Sequence, residues 1–211
     1  MKLRKPWIKV CGITCEDDLE VLIKAGATAV GINLWAKSPR SVTAQMALFL
    51  TRLAANRIET VWVTVDMPLV ELQSLVEQGN PDWVQLHGEQ PASYIEALGN
   101  RAFYAVGIQN EDHVQTALQA SGAFVLVDAR DEVQKGGTGK LAPLALAQCV
   151  SGAREMVLAG GLNPDNVGTR IASVRPAGVD TASGVESSPG RKDPVKVRLF
   201  CEQARQAFAQ L

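Results

Sequence analysis

Histidine and cysteine are scarce here, two and four copies in 211 residues, and the scarcity removes several chemistries at once. Cys11, Cys15, Cys149 and Cys201 are too few for a disulfide scaffold, and the one close pair is spaced more widely than the C-x-x-C of a zinc knuckle. They read as reduced thiols, and neither His87 nor His113 falls at a metal-ligand spacing from them. An excess of one charge is missing too. With 21 basic and 22 acidic residues the net charge is -1, which gives no electrostatic reason to expect nucleic acid or an anionic membrane surface as partner. No apolar run approaches the ~20 residues that a bilayer-spanning helix requires. The basic opening "MKLRKPWIKVCG" lacks the apolar stretch and small-residue cleavage site of a signal peptide, so the expected location is cytoplasmic. No dinucleotide-binding fingerprint supports redox chemistry. "GGTGK" (136–140) is not a Walker A loop, because the spacer is missing and Leu141 stands where Ser or Thr would hold magnesium.

What the chain does have is a repeating alternation. Hydrophobic residues make up 46% of it, enough to bury a substantial core. Runs of β-branched and apolar residues return, each followed by a polar or glycine-containing turn and a stretch of helical periodicity. Eight such units can be counted, with strands expected near Trp7 to Cys11, Thr28 to Asn33, Thr60 to Val65, Asp82 to Leu86, Ala102 to Ile108, Ala123 to Asp128, Glu155 to Ala159 and Ala177 to Asp180. Several are apolar throughout, as strands buried on both faces should be. Helix starts are marked by Thr14 with Asp17, which resembles a capping box, and by Asn163-Pro164 and Asp193-Pro194, each a cap residue before a proline. Leu69, Leu72, Leu75 and Val76 predict one apolar helix face, and Val197, Phe200, Ala204 and Phe208 another. Eight alternations without a linker predict a single parallel (β/α)₈ barrel domain over residues 1–211, with an open doubly wound sheet as the competing arrangement.

In such a barrel the chemistry sits in the loops that follow the strands. The first strand ends on Cys11 beside Gly12, and the sixth on Asp128. A buried free cysteine is most often a small hydrophobe, but a strand-end position favours chemistry, and a carboxylate closing an apolar strand must be hydrogen-bonded, paired or used. Glycine-rich loops follow units six, seven and eight, where converging backbone N–H groups suit a phosphate. Arg40 in "KSPR" has the fork geometry to hold a carboxylate, or is a solvated surface arginine. His87 in "QLHGE" orients a neighbour, binds the ligand or is satisfied by backbone. A thiol and a carboxyl without a metal cluster suit proton transfer next to a carbonyl or imine, as in isomerisation of a sugar phosphate.

Across essentially its whole length the chain resembles the phosphoribosylanthranilate isomerase family, through "KVCGIT" (9–14), "KSPR" (37–40), "VQLHGEQ" (84–90), "VLVDA" (125–129), "GGTGK" (136–140), "LAGGLNPDNV" (158–167) and "GVDTASGVESSPGRKD" (178–193). The resemblance implies a (β/α)₈ enzyme of tryptophan biosynthesis that performs an Amadori rearrangement on a small phosphoribosyl substrate, without cofactor or metal, as a monomer or homodimer. It implies Asp128 as general acid, Cys11 as general base, Arg40 as ligand of the anthranilate carboxylate, and loops containing Gly139, Gly160, Gly161, Ser183 and Gly184 as the phosphate site. His87 and Asp180 are further candidates for substrate contact. The chain departs from the family pattern at Tyr104, where a basic residue is common, at Trp35 and Ala36, and at "LAPLAL" (141–146), which bears on the aromatic pocket. Two alternatives stand beside this reading: a phosphoribosyl isomerase that also takes the histidine-pathway substrate, and a sugar-phosphate binder without catalysis. An aspartate at the end of the first strand accompanies the histidine-pathway chemistry, and this chain has Cys11 there.

Overall fold

The apolar runs form strands close to where their patterns place them: Trp7–Cys11 (β1), Ala29–Asn33 (β2), Glu59–Val65 (β3), Trp83–His87 (β4), Ala102–Gly107 (β5), Val125–Asp128 (β6), Met156–Leu158 (β7) and Gly178–Thr181 (β8). The computed structural model describes residue 3, residues 6–128 and residues 144–211. Neighbouring strands pair in parallel and in chain order, and β8 returns to β1, so the sheet closes into a barrel and the doubly wound alternative falls away. The helices are Glu16–Ala25 (α1), Ala44–Ala54 (α2), Leu69–Gly79 (α3), Ser93–Leu98 (α4), Glu111–Gln119 (α5), Leu144–Ala153 (α6), Val167–Val174 (α7) and Pro194–Phe208 (α8). After β8 come a 3₁₀ turn, Ser183–Val185, and an antiparallel hairpin of Glu186–Ser188 (β9) and Arg191–Lys192 (β10). Among the described residues no helix is long and apolar enough to cross a membrane.

Successive side chains on a strand point to opposite faces, and that alternation divides the core in two. Ile8 and Val10 of β1 face outward into the layer between sheet and helices, with Leu19, Leu22, Val197 and Phe200. Trp7 faces inward, where it meets Trp83, Phe103 and Phe124. These four rings pack mostly edge to face, at centroid distances of 5.1 to 6.1 Å, with a tilted Phe103–Phe124 pair at 4.4 Å. They fill the end of the barrel where the strands begin. The indole N–H groups of Trp7 and Trp83 both donate to one Glu59 carboxylate oxygen at 2.9 Å, which satisfies two donors otherwise lost on burial. The apolar plug leaves the opposite end for polar groups.

The helix caps are where sequence pattern and structure part. Asp193 caps α8 as expected, accepting from the N–H groups of Val195 and Lys196, with Pro194 in the first turn. Thr14 and Asp17 make no capping box. Cys15 is the cap residue of α1, and the Thr14 hydroxyl instead donates to the Gly190 carbonyl, because the hairpin after β8 lies against this turn. Asn163 does not start α7 either: it accepts from Asp165 and Asn166 N–H in a turn that precedes the helix, whose cap residue is Asn166. The last helix is tied to the first through Arg205, which donates to the Ala25 and Gly26 carbonyls at the end of α1.

Candidate active site

The inward alternation that begins at Trp7 continues through Lys9 to Cys11, so the thiol sits at the mouth formed by the strand ends. By the same period-two count, Trp83 leads to His87, Leu126 to Asp128, and β8 brings in Asp180. The barrel therefore gathers Cys11, His87, Asp128 and Asp180 at one end, and closure of the sheet brings β6 and β1 around the same opening. Asp128 is half-buried at the last position of β6, where its carbonyl accepts from Ile108 N–H. His87 is half-buried at the end of β4, opposite Val65 of β3. Gly139 and the rest of "GGTGK" lie outside the described residues.

The space around Cys11 is set by two glycines. Gly31 is its partner across β1 and β2, and a side-chain carbon there would come within 2.5 Å of the Cys11 sulfur. Gly12, at φ +81°, clears the path of Arg40, whose Cδ would be 2.5 Å from a carbon added at that position. A layer below the thiol, Lys9 is fully buried and donates to the Asp180 carboxylate at 3.0 Å. Burial alone would lower the Lys9 pKa, but Asp180 and Cys11 outweigh it, and the ammonium is held above its ordinary value. Burial also pushes the Cys11 thiol up, against the opposing pull of the Lys9 and Lys192 cations. The Asp180 carboxyl is raised by burial against the same two cations. Asp180 is thus bound to an internal lysine, and Lys9, to which the strand pattern assigns no role, lies beside Cys11.

Arg40 stands in a loop ordered by Ser38, whose hydroxyl accepts from the Arg40 backbone N–H and the Asn33 side-chain amide. Its guanidinium is already engaged by a protein carboxylate. Nε and Nη2 each donate to one oxygen of Glu186, both at 2.8 Å. Glu186 also accepts from Lys192 Nζ at 2.7 Å, and Lys192 donates to the carbonyls of Cys11 and Ala182. Burial would raise the Glu186 carboxyl, but Arg40 and Lys192 hold it below its usual value. Lys192 runs the other way, lowered chiefly by burial. Glu186 and Lys192 lie inside "GVESSPGRKD", yet nothing in the local sequence says that they reach back to β1.

The loops after β7 and β8 come together. Gly160 and Gly161 both have positive φ, and a side chain at Gly184 would collide with the Leu162 carbonyl, so the turn carrying Ser183 and Gly184 packs flush on the β7 loop. Thr181 donates to that same carbonyl at 2.6 Å. Tyr104 is different. It points outward from β5 beside Leu86 and Ile95, and its hydroxyl donates to the Gln90 and Pro91 carbonyls. Phe103 and Ala105 face inward on that strand, so the departure at Tyr104 lies on the helix side of the sheet. Trp35 follows β2, half-buried, with its backbone N–H donating to the Asn33 side-chain carbonyl.

Residues 8–203 match the family model for N-(5'phosphoribosyl)anthranilate (PRA) isomerase. The chain belongs to this family. A relative from Pelobacter propionicus, named N-(5'-phosphoribosyl)anthranilate isomerase, is 35% identical over 96% of this chain and 97% of its own. A dimeric phosphoribosylanthranilate isomerase from Thermotoga maritima, solved as generated monomers, superposes with a TM-score of 0.85 at 31% identity, covering 95% of this chain and 99% of that one. A phosphoribosyl anthranilate isomerase solved with reduced 1-(o-carboxyphenylamino)-1-deoxyribulose 5-phosphate gives a TM-score of 0.84 at 31% identity, with the same coverage.

Proposed function

We propose that this protein isomerises N-(5-phosphoribosyl)anthranilate to 1-(2-carboxyphenylamino)-1-deoxyribulose 5-phosphate, with Asp128 as general acid and Cys11 as general base. The Asp128 carboxyl gives its proton to the furanose ring oxygen, the C1–O bond breaks, and the nitrogen lone pair forms an iminium at C1. That cation acidifies C2–H, and the Cys11 thiolate removes the proton, leaving an enolamine. Protonation at C1 and loss of the C2 hydroxyl proton give the ketone, so no proton is gained or lost overall. The observation that carries this reading is the setting of Cys11: a strand-end thiol seated over Gly31, with a buried ammonium one layer below, in a mouth that also receives Asp128.

Arg40 holds the anthranilate carboxylate through its remaining N–H groups. The positive-φ glycines Gly160 and Gly161, packed against Ser183 and Gly184, offer backbone N–H groups to the phosphate. His87 supports the substrate from the end of β4. Asp180 acts through Lys9, keeping a cation near the thiol. Rescue of a tryptophan-requiring strain tests the function. The wild-type gene should restore growth without tryptophan, and Cys11→Ser and Asp128→Asn should not. No rescue by a soluble, folded wild type would favour a sugar-phosphate binder.

A further inference from the structure

A guanidinium can form two parallel pairs of hydrogen bonds, one along its Nε–Nη2 side and one along its Nη1–Nη2 end. In Arg40 the side is taken by Glu186, at 2.8 Å for both bonds. Among the described residues the end, with the Nη1 hydrogens and one on Nη2, is left over. The arginine stem lies across Gly12, where even a single added carbon would clash, so the side chain has little freedom to swing away. Glu186 is itself fixed, since Lys192 Nζ donates to it at 2.7 Å and to the Cys11 carbonyl at 2.7 Å. All of these groups are largely buried: side-chain exposure is 12% for Arg40, 5% for Glu186 and 0% for Lys192. An internal carboxylate thus orients the arginine and joins it, through one lysine, to the backbone that carries the thiol.

We propose that Glu186 is a positioning residue for recognition of the substrate's carboxylate: it holds the Arg40 side so that the Arg40 end faces the incoming ortho-carboxylate. Resting on the proposed function, this assigns Glu186 no contact with the reacting atoms. Without Glu186 the guanidinium loses its fixed plane, and the two-bond grip on a ring carboxylate is lost with it.

The test measures calorimetric affinities for two probes, reduced 1-(o-carboxyphenylamino)-1-deoxyribulose 5-phosphate and the same compound without its ring carboxyl. Wild type should prefer the carboxylated probe, Arg40→Met should abolish the preference, and Glu186→Gln should cut it by roughly 10- to 100-fold, the worth of one charge-assisted hydrogen-bonded contact. In the Arg40→Met background, adding Glu186→Gln should change nothing further in the preference. KM should rise more than kcat falls. Should unpaired Lys192 keep Glu186→Gln from folding, Glu186→Asp retains the charge but is one methylene too short to span both cations, and a partial loss of preference is expected. Equal weakening of both probes, or an unchanged preference in a folded variant, would overturn the proposal. A wild type that binds neither probe would instead sink the functional reading on which it rests.

Discussion

Replacing Gly31 by alanine should disable the site while leaving a folded barrel, and the structure supplies its own control. A Cβ at residue 31 would lie 2.5 Å from the Cys11 sulfur, 2.9 Å from its Cα and 3.0 Å from its Cβ. Unstrained contacts between such atoms begin near ~3.5 Å, so Cys11 must retreat by about 1 Å. Overpacking of this kind costs ~1–3 kcal/mol of stability, and a displacement of ~1 Å in a reacting group costs ~10²-fold in rate. Gly178 sits across from the other end of the same strand, facing Trp7, and a Cβ there would be 2.6 Å from the Trp7 carbonyl oxygen. Gly178→Ala should therefore be destabilised to a similar degree with its thiol undisturbed. Urea unfolding gives the stability of each variant, and kcat/KM at a temperature where both are folded gives the activity. A folded Gly31→Ala with near wild-type turnover, or a folded Gly178→Ala equally impaired, would refute the idea that Gly31 is there to seat the thiol.

Three further outcomes are expected. Lys9→Met strands the buried Asp180 carboxylate, so stability should fall by ~3–5 kcal/mol, the usual loss on breaking a buried pair. Because the same ammonium lowers the Cys11 pKa, alkylation of Cys11, which needs the thiolate and so speeds up as pH rises, should begin at higher pH in this variant. An unshifted profile would contradict the role given to Lys9. Glu59→Leu removes the acceptor of two buried indole N–H groups and should cost ~1–3 kcal/mol for each, with kcat/KM unchanged in the folded protein; calorimetric melting and the turnover assay check the two halves. Cys201 is fully buried and its pKa is pushed up from 9.0 to about 11. The native state keeps this proton after the unfolded chain has lost it, so its contribution to stability is complete below 9.0 and is lost as pH rises to about 11. Cys201→Ala should flatten the alkaline fall in unfolding midpoint, whereas exposed Cys149 should be alkylated in the native protein at pH 8.

The strands were legible in the sequence because a strand buried on both faces must be apolar along its length, and runs such as "AVGIN" and "VLVD" can satisfy little else. The strand-end rule then located Cys11 and Asp128. Local rules failed where a distant segment supplied the partner. The local pattern makes Thr14 a cap, but its hydroxyl goes to Gly190, 176 residues away. Nothing near Lys9 in the sequence marks its partner, because only closure of β8 onto β1 supplies Asp180. The motif around Arg40 suits either a carboxylate ligand or a solvated surface arginine, and neither shows that its side is held by a glutamate from the hairpin after β8. Gly31 does carry a signal in the sequence: a glycine inside a strand often marks a close approach, here that of the catalytic candidate itself.

The central claim is that a thiol on β1 and a carboxyl on β6 together drive this isomerisation, and purified protein with freshly generated phosphoribosylanthranilate tests it most directly. Turnover followed by loss of substrate fluorescence should be robust for wild type, and Cys11→Ser and Asp128→Asn should each fall by ~10² to 10⁴, the usual contribution of a general acid or base. An active wild type whose two folded variants turn over at the same rate would contradict the account.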